Sequence, residues 1–273
     1  MAARFVGVTG LPRAGSTLLC QLLGQHPEIH CDGRSSPLCN TLMGIRRGVS
    51  DDSFFLSQLD NEFGKSYSRL ASAMQGYLRG WYGDCQKPLV VDKSRAWLRA
   101  VELLQHIEPG AKLIVCLRDL GQIYGSIETQ HQRTILLDFI DHLADLDRFG
   151  RADTLFMKDR VIGSPLMALH AVADLPKSVQ DCLYYVRFED LMDRPAACMK
   201  HLFGWLGISP FEIDLEQLRA GARESDSHYH MKYLHTQHDR IAPPTIHEVP
   251  PRIQSLIETA YTWYFQMFYP KKL

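Results

Sequence analysis

The sequence contains no pair of cysteines at C-x-x-C spacing and no biased or low-complexity tract. It also lacks an apolar run of about 18 residues, the minimum for a membrane-spanning helix. The missing cysteine spacing excludes a zinc knuckle and a dithiol redox motif. Thirty basic side chains face 31 acidic ones, for a formal charge of −1, so no global field draws the chain to nucleic acid or anionic lipid. The seven cysteines, at positions 20, 31, 39, 85, 116, 182 and 198, are odd in number and scattered through apolar stretches. They read as free, mostly buried thiols of a reducing compartment. The segment Met1–Thr9 runs straight into a strand-like stretch and is too short for a signal peptide, so a cytoplasmic protein is expected.

What is present is an ordinary globular composition, 45% hydrophobic over 273 residues, enough for one domain with a sizeable core. Of the 30 basic residues 20 are Arg, the better fork for phosphate and sulfate. Apolar runs at Phe5–Thr9, Leu89–Val91, Leu113–Leu117 and Leu183–Val186 predict strands. Helical patterns follow them at Gly15–Gln25, Arg95–His106, Asp119–His131 and Arg194–Leu206, with a last one at Arg252–Phe268. Strands alternating with helices predict an α/β three-layer sandwich whose central sheet is mainly parallel. Residues 34–80 are expected to form a helical cap over the sheet. The aromatic run Tyr261–Tyr269 reads as a terminal helix packed on the core, with a homodimer contact as an alternative.

The segment Gly10-Leu11-Pro12-Arg13-Ala14-Gly15-Ser16-Thr17 leaves the first strand and opens the first helix. That is the setting of a phosphate-cradling loop, where successive N–H groups and a helix N-terminus attract an anion. Gly10 and Gly15 stand where G-x-x-x-x-G-K-[ST] places its glycines, but Ser16 occupies the lysine position. The third strand ends in Arg118-Asp119, a cation first where a kinase would place its metal-binding acid. The loop thus suits an anion of lower charge than a triphosphate, with no metal required. Arg118 and Ser126, eight residues apart, can converge beyond the carboxyl edge of the sheet. A kinase-like phosphotransferase and an inactive nucleotide-binding module are the rival readings.

Together these residues resemble the sulfotransferase family. Leu11-Pro12-Arg13-Ala14-Gly15-Ser16-Thr17-Leu18 is similar to its 5′-phosphosulfate loop, and Arg118 with Ser126 to its 3′-phosphate site. His26-Pro27, Val91-Asp92-Lys93-Ser94 and Val186-Arg187-Phe188-Glu189-Asp190-Leu191 extend the likeness, nearest to a bacterial branch similar to tyrosylprotein sulfotransferases. The resemblance implies 3′-phosphoadenosine 5′-phosphosulfate (PAPS) as sulfuryl donor and a peptide tyrosine, alcohol or phenol hydroxyl as acceptor, with residues 34–80 capping the acceptor site and Tyr261–Tyr269 as an alternative acceptor platform. It implies donor contacts from Arg13, Ala14, Gly15, Ser16, Thr17, Leu18, Arg118 and Ser126, and from Ser225 and Arg240 in the late loop. Lys93 and Arg13 would act on the transferred group. Tyrosylprotein sulfotransferases carry a Glu in the loop after His-Pro, whereas this chain has Arg34 at the aligned position. Asp32 and His228 are therefore the nominated general bases. An Arg that relatives place four residues beyond the serine is Gln130 here, with Arg133 nearby.

Overall fold

The computed structural model describes residues 3–218 and 224–270. Five strands, β1 (Arg4–Gly10), β2 (Ile29–His30), β3 (Leu89–Lys93), β4 (Lys112–Leu117) and β5 (Leu183–Arg187), form a sheet in the order β2-β3-β1-β4-β5. Every pairing is parallel, with Val6 opposite Val91 and Val8 opposite Ile114. β1, β3 and β4 are apolar almost throughout because helices cover both faces of a parallel sheet. This is the predicted α/β sandwich. The strand that sequence patterning missed, β2, is two residues long, too short to show a period.

The helices, in chain order, are α1 (Ser16–Leu23), α2 (Leu38–Ser50), α3 (Ser53–Trp81), α4 (Val101–Ile107), α5 (Leu120–Arg133) and α6 (Arg148–Leu155). After them come α7 (Gly163–Val172), α8 (Lys177–Gln180), α9 (Phe188–Asp193), α10 (Pro195–Leu206), α11 (Pro251–Ala260) and α12 (Thr262–Phe268). Asp119 caps α5 as its sequence position suggests, its carboxylate accepting from the Gln122 N–H at 2.9 Å. Two predicted helices are divided. Arg95–Ala100 is a 3₁₀ turn that precedes α4, opened by the Ser94 side chain accepting from Ala96 N–H. The last helix breaks at Tyr261, which leaves the helical region at φ −119° and ψ 38°.

The stretch expected to form a cap is indeed helical, as α2 and α3, but α3 packs on α2 and α4. Its Phe54 stays 81% exposed and its Phe63 63% exposed, so these aromatics contribute nothing to a core. The terminal aromatic run does pack inward. Tyr264 is fully buried, and the hydroxyls of Tyr261 and Tyr264 donate to the carbonyls of Phe156 and Arg118. Cys20, Cys39 and Cys116 are buried, and all seven cysteines are free.

Candidate functional site

The first strand ends at Gly10 with φ +122°, a conformation that L side chains rarely adopt. A Cβ there would overlap the main chain of Cys116, so glycine lets the loop lie directly on β4, where Leu11 N–H donates to Cys116 O at 2.9 Å. Arg13 and Gly15 are also left-handed, at φ +57° and +82°. Gly15 caps α1 without any side-chain hydrogen bond, which leaves the first amides of that helix open to an incoming anion. A Cβ on Gly15 would stand 2.5 Å from Phe188 Cδ2. Phe188 belongs to the Arg187–Leu191 segment, so this ring holds the loop against the end of β5.

Arg118, at the end of β4, is 7% exposed. Its guanidinium donates to Arg13 O at 3.0 Å and Thr245 O at 3.5 Å. Arg13 donates from Nε to Ser126 Oγ at 3.1 Å and from Nη1 to Leu234 O. The hydrogen bonds of both guanidiniums thus go to carbonyls and a hydroxyl, which an anion can supersede. Burial lowers both arginine pKa values, and for Arg13 the neighbouring Arg118 charge adds to the effect. His247 faces the same charges. Burial, then Arg118, Arg13 and Arg133, push its pKa down to about 4, while its Nδ1 lies 3.0 Å from Thr129 Oγ1. Gln130 donates to Met231 O instead of facing the cleft, and Arg133 lines it.

Lys93 ends β3 and is 5% exposed. Its Nζ lies 2.7 Å from Glu224 Oε2 and 3.5 Å from Thr17 Oγ1. Glu224 Oε1 accepts from Ser35 N–H at 2.9 Å, and His235 Nε2 lies 3.5 Å from Oε2. The other ring nitrogen of His235 donates to Asp226 Oδ1 at 2.7 Å. Burial pushes the Glu224 carboxyl upward, but the hydrogen bonds from Lys93 and Ser35 outweigh it and hold its pKa below the usual carboxylate range. Asp92, the strand neighbour of Lys93, points away from this cluster. It accepts from Trp97 Nε1 at 2.6 Å and Tyr82 Oη at 2.8 Å, and burial raises its pKa.

Arg13, Gly15, Ser16, Thr17, Leu18, Lys93, Arg118 and Ser126 all line one cavity of about 980 Å³. Ala14 is buried within the loop itself. Ser35, Ser36, Pro37 and Asn40 are the part of the 34–80 stretch that reaches the cavity wall. Asp32 lies outside that wall, in an exposed ion pair with Arg34 at 3.1 Å. His228 is exposed against Tyr229, and Ser225 is exposed with its hydroxyl 2.8 Å from that of Ser227. Arg240 is exposed and outside the cavity wall as well. The structure thus brings the loop, the strand-end cations and Ser126 together on one cavity and leaves Asp32, His228, Ser225 and Arg240 off its wall. The late loop contributes His235 to that wall, and Glu224 contacts the wall residues Lys93 and His235; chain separation from Lys93 hides both from pattern reading.

A family model described as "Sulfotransferase family" matches residues 6–212, three quarters of the chain and every strand of the sheet. The chain belongs to the sulfotransferase family. Its curated relatives include human protein-tyrosine sulfotransferase 1, 30% identical over 118 residues, covering 42% of this chain and 30% of the human protein. Zebrafish (Danio rerio) protein-tyrosine sulfotransferase 1 is 27% identical over 206 residues, 75% of this chain and 52% of that protein. The chain thus spans about half the length, or less, of these relatives. Among solved structures, the sulfotransferase domain from the curacin biosynthetic pathway aligns over 95% of this chain and 98% of its own. Its TM-score is 0.56 at 17% identity. A sulfotransferase from Alicyclobacillus acidocaldarius aligns over 96% and 92%, with TM-score 0.56 and 14% identity. At such identities the two structures establish the shared fold. In this sulfotransferase-family chain no described helix is long and apolar enough to cross a membrane.

Proposed function

We propose that this chain transfers the sulfuryl group of PAPS to an acceptor hydroxyl, of a peptide tyrosine or of a small alcohol or phenol. The observation that carries the reading is the convergence of a lysine-free loop, Arg13, Arg118, Ser126 and Lys93 on one cavity. Open α/β sheets bind ligands beyond the carboxyl ends of their strands, and β1, β3 and β4 all end here. The loop amides and Arg13 suit the 5′-phosphosulfate, while Arg118, with Ser126, suits a 3′-phosphate. A volume of about 980 Å³ lies at the top of the range of about 300–1,000 Å³ for ligand pockets, which leaves room for an acceptor beside the donor.

Sulfuryl transfer is an in-line displacement in which negative charge gathers on the sulfuryl oxygens and on the leaving phosphate. As in phosphoryl transfer, the protein contributes positioning and fixed positive charge. Lys93 supplies that charge from β3 and Arg13 from the loop. Two cheap measurements test the reading. Adenosine 3′,5′-bisphosphate (PAP) should raise the melting temperature more than ATP or AMP does. Labelled PAPS should then pass its sulfur to a hydroxyl-bearing acceptor. A larger stabilisation by ATP, or magnesium-dependent ATP turnover, would overturn the proposal.

A further inference from the structure

We infer that Glu224 takes the proton of the acceptor hydroxyl, and that Lys93 is a cation handed from Glu224 to the donor when PAPS binds. This deepens the sulfuryl-transfer reading and rests on it.

Three observations support the assignment. Lys93 and Glu224 form an ion pair of 2.7 Å whose side chains are 6% and 15% exposed, and Lys93 and His235, the two charged neighbours of Glu224, line the cleft. Burying such a pair carries a large desolvation cost, and a purely structural clamp gains little for it over apolar residues. Next, Lys93 also touches Thr17 Oγ1 in the loop, so the same ammonium faces both the carboxylate and the site for the sulfated end. Finally, Glu224 is aimed. The Ser35 N–H fixes Oε1, and His235, oriented by Asp226, flanks Oε2. Besides burial, Lys93, the Ser35 N–H and His235 set the proton affinity of Glu224, with Asp226 behind the imidazole.

The chemistry balances. The acceptor oxygen forms a bond to sulfur, the bond from sulfur to the oxygen bridging to the 5′-phosphate breaks, and PAP leaves with that electron pair. The hydroxyl proton goes to Glu224. Before the donor arrives, Lys93 keeps the carboxylate weakly basic. A bound sulfuryl group competes for the same ammonium, and as Lys93 turns to it the carboxylate gains proton affinity at the moment an acceptor needs it. The base is armed by the donor, which suppresses idle chemistry in its absence.

The test compares wild type, Glu224→Gln and Glu224→Asp by calorimetry with PAP and with PAPS, and by turnover with 4-nitrophenol and a tyrosine-containing peptide. Glu224→Gln should leave PAP affinity unchanged and tighten PAPS about tenfold, because nothing then competes for Lys93. Its turnover should fall about 100-fold or more, the usual contribution of a general base, with part recovered in Glu224→Asp. A structural clamp would instead weaken both nucleotides and lower the melting temperature. If wild type fails to bind PAP, the sulfuryl-transfer reading itself falls. If PAP binds but Glu224→Gln changes neither the ratio of PAPS to PAP affinity nor turnover, only the role of Glu224 is overturned. Where wild type turns over neither acceptor, that affinity ratio decides alone.

Discussion

The guanidinium of Arg118 lies 4.5 Å from the centre of the Phe188 ring, and the same ring abuts Gly15. One aromatic side chain therefore packs against both the Gly10–Thr17 loop and the cation at the end of β4. Phe188→Ala should cost about 2–4 kcal/mol of stability through lost packing and lost cation–π attraction. Phe188→Leu should restore most of the stability but not the placement of Arg118. Chemical denaturation together with PAP titration of both variants checks this; equal recovery of stability and affinity in Phe188→Leu would contradict it.

Gly15 is irreplaceable for two independent reasons, a left-handed φ of +82° and the nearness of Phe188. Gly15→Ala should cost about 1–2 kcal/mol for the backbone alone, with more for moving the ring. Gly204 in α10 is the control, since a Cβ there would meet nothing within 4 Å. Gly204→Ala should stabilise the helix by about 0.5–1 kcal/mol. Melting curves of the two variants should move in opposite directions.

Arg118→Ala should weaken PAP far more than AMP, because only PAP carries the 3′-phosphate that this guanidinium would meet. A charge-assisted hydrogen bond is worth about 1.5–3 kcal/mol, which corresponds to a loss of about 10- to 100-fold. Calorimetry with both nucleotides is the measurement. Equal losses for the two would remove Arg118 from the 3′-phosphate site.

His247 makes stability depend on pH. Its pKa falls from an ordinary 6.5 to about 4 in the folded chain, so between these values the unfolded chain binds the extra proton. Stability should therefore rise with pH through this window and be lost as pH falls from about 6.5 toward about 4. His247→Gln should flatten that dependence. Urea unfolding of wild type and variant at pH 7 and pH 5 gives the comparison, and identical slopes would refute the effect.

The parts of the fold legible in the sequence are those set by local chemistry. Buried parallel strands write themselves as apolar runs, as in Leu113–Leu117, and glycines with forced backbone angles mark the loop at Gly10 and Gly15. The placement of Arg118 and Ser126 follows from where a strand ends and a helix begins. The Lys93–Glu224–His235 cluster is less legible because it is assembled across the chain. Glu224 reaches Lys93 over 131 positions, and no periodicity in the late loop distinguishes His235 from His228. The aligned loop position holds Arg34, which pairs with Asp32 at the surface, while Glu224 docks on the N–H of the very next residue, Ser35. Only the folded chain brings that contact between the two loops into view.

Asp92 and Lys93 are neighbours on β3, and the alternation of a strand sends one into the protein and the other into the cleft. The anchor and the tool are thus cut from a single dipeptide. Losing one residue upstream in β3 would exchange their faces, turning an acid toward the cleft and a lysine toward Trp97. Variation in the late loop can retune the Lys93–Glu224 pair by degrees, whereas a slip of a single pleat would abolish it outright.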